Sequence, residues 1–275
     1  TMSDQEKNLL TQIFRLFTQS DVDVSSGYVD RYMKIFKKPE ARMMMGAFNN
    51  MESIHQHAYS LLLDTVGMPE VEYKAFADYE AMADKHEYID AIKVSKGDKR
   101  SIAKALAVYS GFTEGLQLFS SFIILLNFPR FGKMKGMGQI ITYSIRDESL
   151  HVEAMTKLFR EFIQENIDIW DDEFKAEIYQ ACREMVTLED RFLELVFAEG
   201  DIEGLTQAEM QEYIRYIADR RLLQLGLKPN YDIKNNPLNW LDDVLGVEHQ
   251  NFFEGRATTY MKAGMRGDVN KVSFV

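Results

Sequence analysis

Apolar residues along this chain recur at helical spacing, in long runs separated by short polar breaks. After Ser3-Asp-Gln-Glu6, in which Ser and Glu three apart match a helix-capping box, Leu9, Leu10, Ile13, Phe14 and Phe17 follow at intervals that line one helix face. This predicts a helix over 3–34. A second is predicted over 40–66, opening after Pro39 and stopping at Gly67-Met-Pro69. Others are predicted over 70–91, 98–127, 136–166, 170–199 and 206–226, the last two closed by Gly200 and Gly226. The stretch 227–246, with Pro229, Asn235-Asn236-Pro237 and Gly246, reads as loop with one short helix. A last helix is predicted over 247–263, and 264–275 reads as a flexible tail. No stretch alternates with the two-residue period of a strand. Helices of about 25–30 residues joined by short turns predict an all-α protein, an up-and-down bundle with additional helices. With no linker or low-complexity segment, 1–275 is expected to form a single domain.

Composition narrows the picture. Five Pro in 275 residues leave long helices unbroken, and 46% hydrophobic residues supply a thick core. A net charge of −11 argues against nucleic acid as a partner. The most apolar stretch, Phe119 to Phe128, is too short to span a bilayer, so no membrane is expected. One cysteine, Cys182, excludes an internal disulfide; with no signal-peptide pattern at the start, the expected location is cytoplasmic.

The candidate chemistry lies in the histidines. Two of the five sit in one local pattern, Glu-x-x-His: Glu52-Ser-Ile-His55 and Glu148-Ser-Leu-His151. Residues three apart share a helix face, so each helix can offer one carboxylate and one imidazole to the same ion. Two such helices, plus one carboxylate from each of two others, build the dinuclear site of ferritin-like di-iron and di-manganese proteins. Asp21 and Glu114, 31 and 34 residues before the two pairs, supply those carboxylates from otherwise apolar stretches. An acid facing a core is costly unless paired or metal-bound. A lone Glu-x-x-His is usually a solvated helix pair; the chemical reading rests on the doubled set of six. Four carboxylates and two imidazoles suit iron or manganese better than zinc or copper. His57, His86 and His249 have no such company and read as surface or structural residues.

The runs Asn8 to Asp21, Met51 to Tyr59 and Ile145 to His151 resemble the metal-binding helices of the class I ribonucleotide reductase small subunit, over nearly the whole chain. The most specific element is Glu-x-x-His-x-x-x-Tyr followed far downstream by Arg-Asp-Glu-x-x-His. The resemblance implies a ferritin-like four-helix bundle core with additional helices. It makes Asp21, Glu52 and His55 ligands of one metal, and Glu114, Glu148 and His151 ligands of the other, with Glu52 bridging. Tyr59 would be the catalytic radical tyrosine. Asp147 would accept a hydrogen bond from the first metal's histidine, and Leu118, Phe122 and Ser144 would line the radical pocket, Ser144 being more polar than a dry pocket requires. The implied cofactor is a dinuclear metal centre, two iron by preference, with manganese–iron or two manganese accepting the same ligands.

The implied activity is that of a ribonucleoside-diphosphate reductase small subunit. The metals react with dioxygen to generate a tyrosyl radical, which a separate large subunit uses to reduce ribonucleotides to deoxyribonucleotides. The implied assembly is a homodimer. The family also places a pathway tryptophan on a helix before the matched region and a pathway tyrosine on a tail after it. The tryptophans here are Trp170 and Trp240, and Met265 to Val275 contains no tyrosine; the expectation is therefore cofactor assembly without onward radical transfer by this sequence alone. The alternative reading is a ferritin-like dimetal oxidase acting on a small organic ligand, against which Tyr59 after the first Glu-x-x-His argues; a metal-storage bundle, in which Tyr59 would have no special role, is a further rival.

Overall fold

In a computed structural model of the chain, the described residues are 2–66, 80–95 and 97–241. Side chains at 15, 18–26, 66, 80 and 82 are also outside the description. The chain divides into two compact units, Thr1–Pro237 and Leu238–Val275. The predicted helix at 247–263 and the tail at 264–275 lie outside the described residues. No strand occurs among the described residues, as the absence of period-2 alternation predicts.

In the first unit the helices are α1 (Asp4–Gly27), α2 (Pro39–Val66), α3 (Glu80–Ala91), α4 (Lys99–Arg130), α5 (Lys135–Glu165), α6 (Asp172–Val196) and α7 (Gln207–Gln224). The capping box at the start of α1 forms: Ser3 Oγ accepts from Glu6 N at 3.2 Å, and Glu6 Oε2 accepts from Ser3 N at 2.8 Å. Thr206 and Glu209 form a second at α7. Leu9, Leu10, Ile13, Phe14 and Phe17 are all buried on the face that α1 packs against α2. After α1 the backbone continues through a π-helical turn, Tyr28–Tyr32, and one α-helical turn, Met33–Ile35.

α4 is the centre of this first unit. Residues 105–128 are all buried, and α5, α6 and α7 pack around it. A helix apolar on every side belongs in a core. It is the single described helix long and apolar enough to cross a membrane by length and composition, and it is buried within the protein. Two features depart from the sequence reading. The middle of α4, Ala107–Leu118, is π-helical. The helix also runs on past Asn127, with Pro129 inside its last turn, where a missing N–H costs a single bond. Gly138 of α5 gives the proline ring its room, since a Cβ there would overlap Pro129 Cγ.

A buried ion pair, Lys85 Nζ to Glu189 Oε2 at 2.6 Å, ties α3 to α6, and Ser120 of α4 donates to the other oxygen of Glu189. The segment after α7 is loop, as its prolines predict. Asp219 of α7 fastens it by accepting from the backbone N–H groups of Asn230, Tyr231 and Ile233.

Candidate metal centre

α2 presents Glu52 and His55 on one face and α5 presents Glu148 and His151 on one face; all four are buried. Glu114, on the π-helical stretch of α4, is buried against them. Glu52, Glu114, Glu148 and His151 each offer a ligand atom, and these atoms lie within 4.8 Å of one another. Glu52 stands between the two imidazoles, with Oε1 3.1 Å from His151 Nδ1 and Oε2 3.5 Å from His55 Nδ1. Glu148 does the same from the other helix, at 3.3 Å to His55 Nδ1 and 3.4 Å to His151 Nδ1. Asp21 falls within α1, but its side chain lies outside the described residues.

The donor set fits a cationic group. Both oxygens of Glu52 and of Glu148, Glu114 Oε2, and the Nδ1 atoms of His55 and His151 are buried without a hydrogen-bond partner. Lone pairs facing one another in a dry interior cost several kcal/mol, of order that for each uncompensated charge, unless a cation sits among them. The titration of the groups carries the same message. Burial, reinforced by Glu148 and Glu52, pushes the Glu114 carboxyl well above its ordinary value. Burial works to lower both imidazoles, but the carboxylates prevail: Asp147, Glu148 and Glu52 hold His55 up at about 12, and Glu148 and Glu52 hold His151 up at about 10.

Around this cluster, His55 Nε2 faces Asp147 Oδ2 at 3.4 Å, and Arg146 steadies Asp147 through two bonds of 3.0 and 2.9 Å. His151 Nε2 faces Met51 Sδ at 3.4 Å rather than a carboxylate. Tyr59, one turn beyond His55, is buried with its ring centroid 6.2 Å from that of His55 and 4.9 Å from that of Phe17; Phe17 in turn lies 5.2 Å from Phe122. The Tyr59 hydroxyl donates to Ser144 Oγ at 2.6 Å, and Ser144 lies 3.3 Å from the Ile140 carbonyl to which it can donate. The polar residue in an otherwise apolar pocket is therefore a hydrogen-bond partner of the tyrosine. Leu118 is buried one turn before Phe122.

Over residues 1–237 the chain matches the family model for the ribonucleotide reductase small chain. The chain belongs to that family. It is 42% identical to a probable ribonucleoside-diphosphate reductase small subunit of Invertebrate iridescent virus 6, over 98% of this chain and 86% of that protein. It is 28% identical to the ribonucleoside-diphosphate reductase subunit beta of Chlamydia pneumoniae, over 96% of this chain and 79% of that one. Among solved structures, the ribonucleotide reductase R2 subunit from Clostridium botulinum superposes with a TM-score of 0.81 at 26% identity, over 88% of this chain and 78% of that one. The fold is the ferritin-like helical fold of these small chains.

Set against the family, the structure brings together five of the six residues assigned from the sequence as ligands, with Asp21 undescribed at its side chain. Sequence reasoning missed Tyr28, whose hydroxyl donates to Glu114 Oε1 at 2.5 Å, and Phe17, which stacks on Tyr59. A signal existed for both. Phe17, Asp21 and Tyr28 are spaced by four and seven residues and so share one helical face. The π-helical turn that begins at Tyr28 has no such signature.

Proposed function

We propose that the chain serves as the radical-generating small subunit of a ribonucleoside-diphosphate reductase. Asp21, Glu52, His55, Glu114, Glu148 and His151 would hold a dinuclear centre, and Tyr59 would be the residue oxidised. The observation that carries this is the buried convergence of two Glu-x-x-His helices on Glu114, with Tyr59 one turn from His55. The oxygen-rich ligand set with two imidazoles suits iron and manganese alike, and two iron is the occupancy we propose. When bound, the metal pair supplies the oxidising power drawn from dioxygen that a phenol radical requires.

The chain's own side chains do the rest. Asp147 orients the His55 ring and so the direction of its Nδ1 lone pair. Phe17, backed by Phe122, would keep water from the Tyr59 ring. Ser144 holds the phenolic hydrogen in a defined direction, which matters because a phenol that gives up an electron must also part with its proton. The radical equivalent would be used by a separate large subunit that reduces ribonucleotides.

The same proposal includes a homodimer and cytoplasmic residence, the latter supported by a single buried free cysteine. For the dimer, Met43, Ala47, Asn50, Ile54, His57 and Leu61 alternate by four and three along α2, and all are exposed, Met43 at 74%. That is the spacing of a helix-pairing seam, and a second copy of the chain is its natural cover.

The test is reconstitution with ferrous iron and oxygen, followed by electron paramagnetic resonance of wild type and Tyr59→Phe. A tyrosyl signal abolished by the substitution, with metal content unchanged, is expected. The same signal persisting in Tyr59→Phe would overturn the assignment.

A further inference from the structure

Glu114 makes a contact that metal binding does not require. Tyr28 donates to its Oε1 at 2.5 Å, while Oε2 is buried with no hydrogen-bond partner. The tyrosine thereby divides the carboxylate, engaging one oxygen and leaving the other free beside Glu52, Glu148 and His151. Tyr28 cannot easily swing away. Its ring meets Phe48 edge-on at 5.7 Å and His151 edge-on at 5.9 Å, and Tyr32 lies against it at 6.2 Å. The backbone beside Glu114 is held separately: Arg221 of α7 donates Nε to the Gly115 carbonyl at 2.7 Å. That approach depends on glycine, since a Cβ at position 115 would come within 2.6 Å of Arg221 Nε. Side chain and backbone at 114–115 are thus pinned independently, in the part of α4 whose helix is wound as π. π-helical turns re-aim side chains and recur at functional sites; here one carries Glu114 and another begins at Tyr28.

We propose that Tyr28 is a positioning residue of the metal centre. Its hydroxyl holds Glu114 so that one carboxylate oxygen, not both, is presented to the metal on the His151 side. The inference rests on the dinuclear reading above. Tyr59 and Tyr28 then have separate duties: Tyr59 stands by His55, and Tyr28 by Glu114 and His151. The competing explanation is a core tyrosine that satisfies its hydroxyl on the nearest acceptor, in which case the metal would not notice its loss.

The experiment titrates metal-stripped full-length chain with manganese(II) alone, followed by calorimetry and by the resonance signal of free and bound ion. It compares wild type, Tyr28→Phe and Glu114→Ala. The phenylalanine keeps the ring packing and removes the hydroxyl. Wild type should bind two ions, and Glu114→Ala identifies which of them depends on that carboxylate. Tyr28→Phe should weaken that same ion ~10-fold or more, the usual effect of deleting a hydrogen-bond partner of a ligand, and leave the other ion and the metal-free melting temperature as in wild type. Two wild-type affinities in Tyr28→Phe would overturn the inference alone. So would weakening of the other ion, or equal weakening of both with a lowered metal-free melting temperature. Fewer than two ions on wild type would overturn the dinuclear reading and this inference with it.

Discussion

At the scale of single residues, the buried carboxylate and histidine cluster carries a stability cost that a bound cation would relieve. Burial, and after it the like charges of Glu148 and Glu52, pushes the Glu114 carboxyl well above its ordinary value. Glu114→Gln should therefore leave the metal-free protein as stable as wild type or more so, while metal uptake falls by an order of magnitude or more. Thermal melts with and without manganese check both halves, and a metal-free melting temperature several degrees lower would contradict the argument. Asp147→Asn should act more gently, since it keeps the ligands and loosens only the His55 ring. About tenfold weaker metal binding with unchanged metal-free melting is expected, read by calorimetry.

At the scale of elements, the caps and close approaches decide where helices begin and how near they come. Glu6 closes the α1 capping box and also accepts from Lys133 at 2.6 Å, linking α1 to the turn after α4. Burial pushes its pKa up, but Lys133 and the Ser3 N–H pull harder, so it ends below the ordinary 4.5. A depressed carboxylate stabilises the fold above its unfolded pKa and loses that contribution as pH falls through the folded value. Glu6→Gln should accordingly cost about 1 kcal/mol at neutral pH, a gap that denaturant titrations should show closing as pH falls through the lowered folded-state pKa. Gly138→Ala drives a Cβ into the rigid ring of Pro129 and should destabilise by about 1–3 kcal/mol at any pH. The Lys85–Glu189 pair is a third kind of tie. Its partners are far apart in sequence and fully buried, so Lys85→Met should cost about 3–5 kcal/mol by stranding a buried charge.

At the scale of the whole molecule, α2 has two duties. Its inner face carries Glu52, His55 and Tyr59, and its outer face carries the exposed seam from Met43 to Leu61. If that seam pairs two copies, the same helix that holds the ligands is braced by the partner. Ile54→Lys together with Leu61→Lys should shift the sedimentation coefficient to that of a monomer while leaving helical content intact. A wild-type chain that sediments as a monomer at micromolar concentration would contradict the seam's assignment.

The helical class, the starts of α1 and α7, and the two Glu-x-x-His faces were open to a reader of the sequence because each depends on neighbours within about one or two turns, where spacing dictates position. Asp21 and Glu114 could be nominated as acids in apolar stretches ahead of the two pairs, and Tyr59 through the family resemblance. What no local pattern contains is distance across the bundle. Tyr28 against Glu114, Ser144 against Tyr59, Lys85 against Glu189 and Arg221 against Gly115 join residues 85 to 106 positions apart; each depends on how closely the helices pack, and the first and last also on how α4 is wound. The π-helical winding of Ala107–Leu118 has no periodicity of its own in a stretch buried on every side, so the chain could not announce it. Sequence thus determined which residues could act, and tertiary packing decided which oxygen of Glu114 is engaged, where the Tyr59 hydrogen points, and how much unbalanced charge the core holds for a metal to relieve.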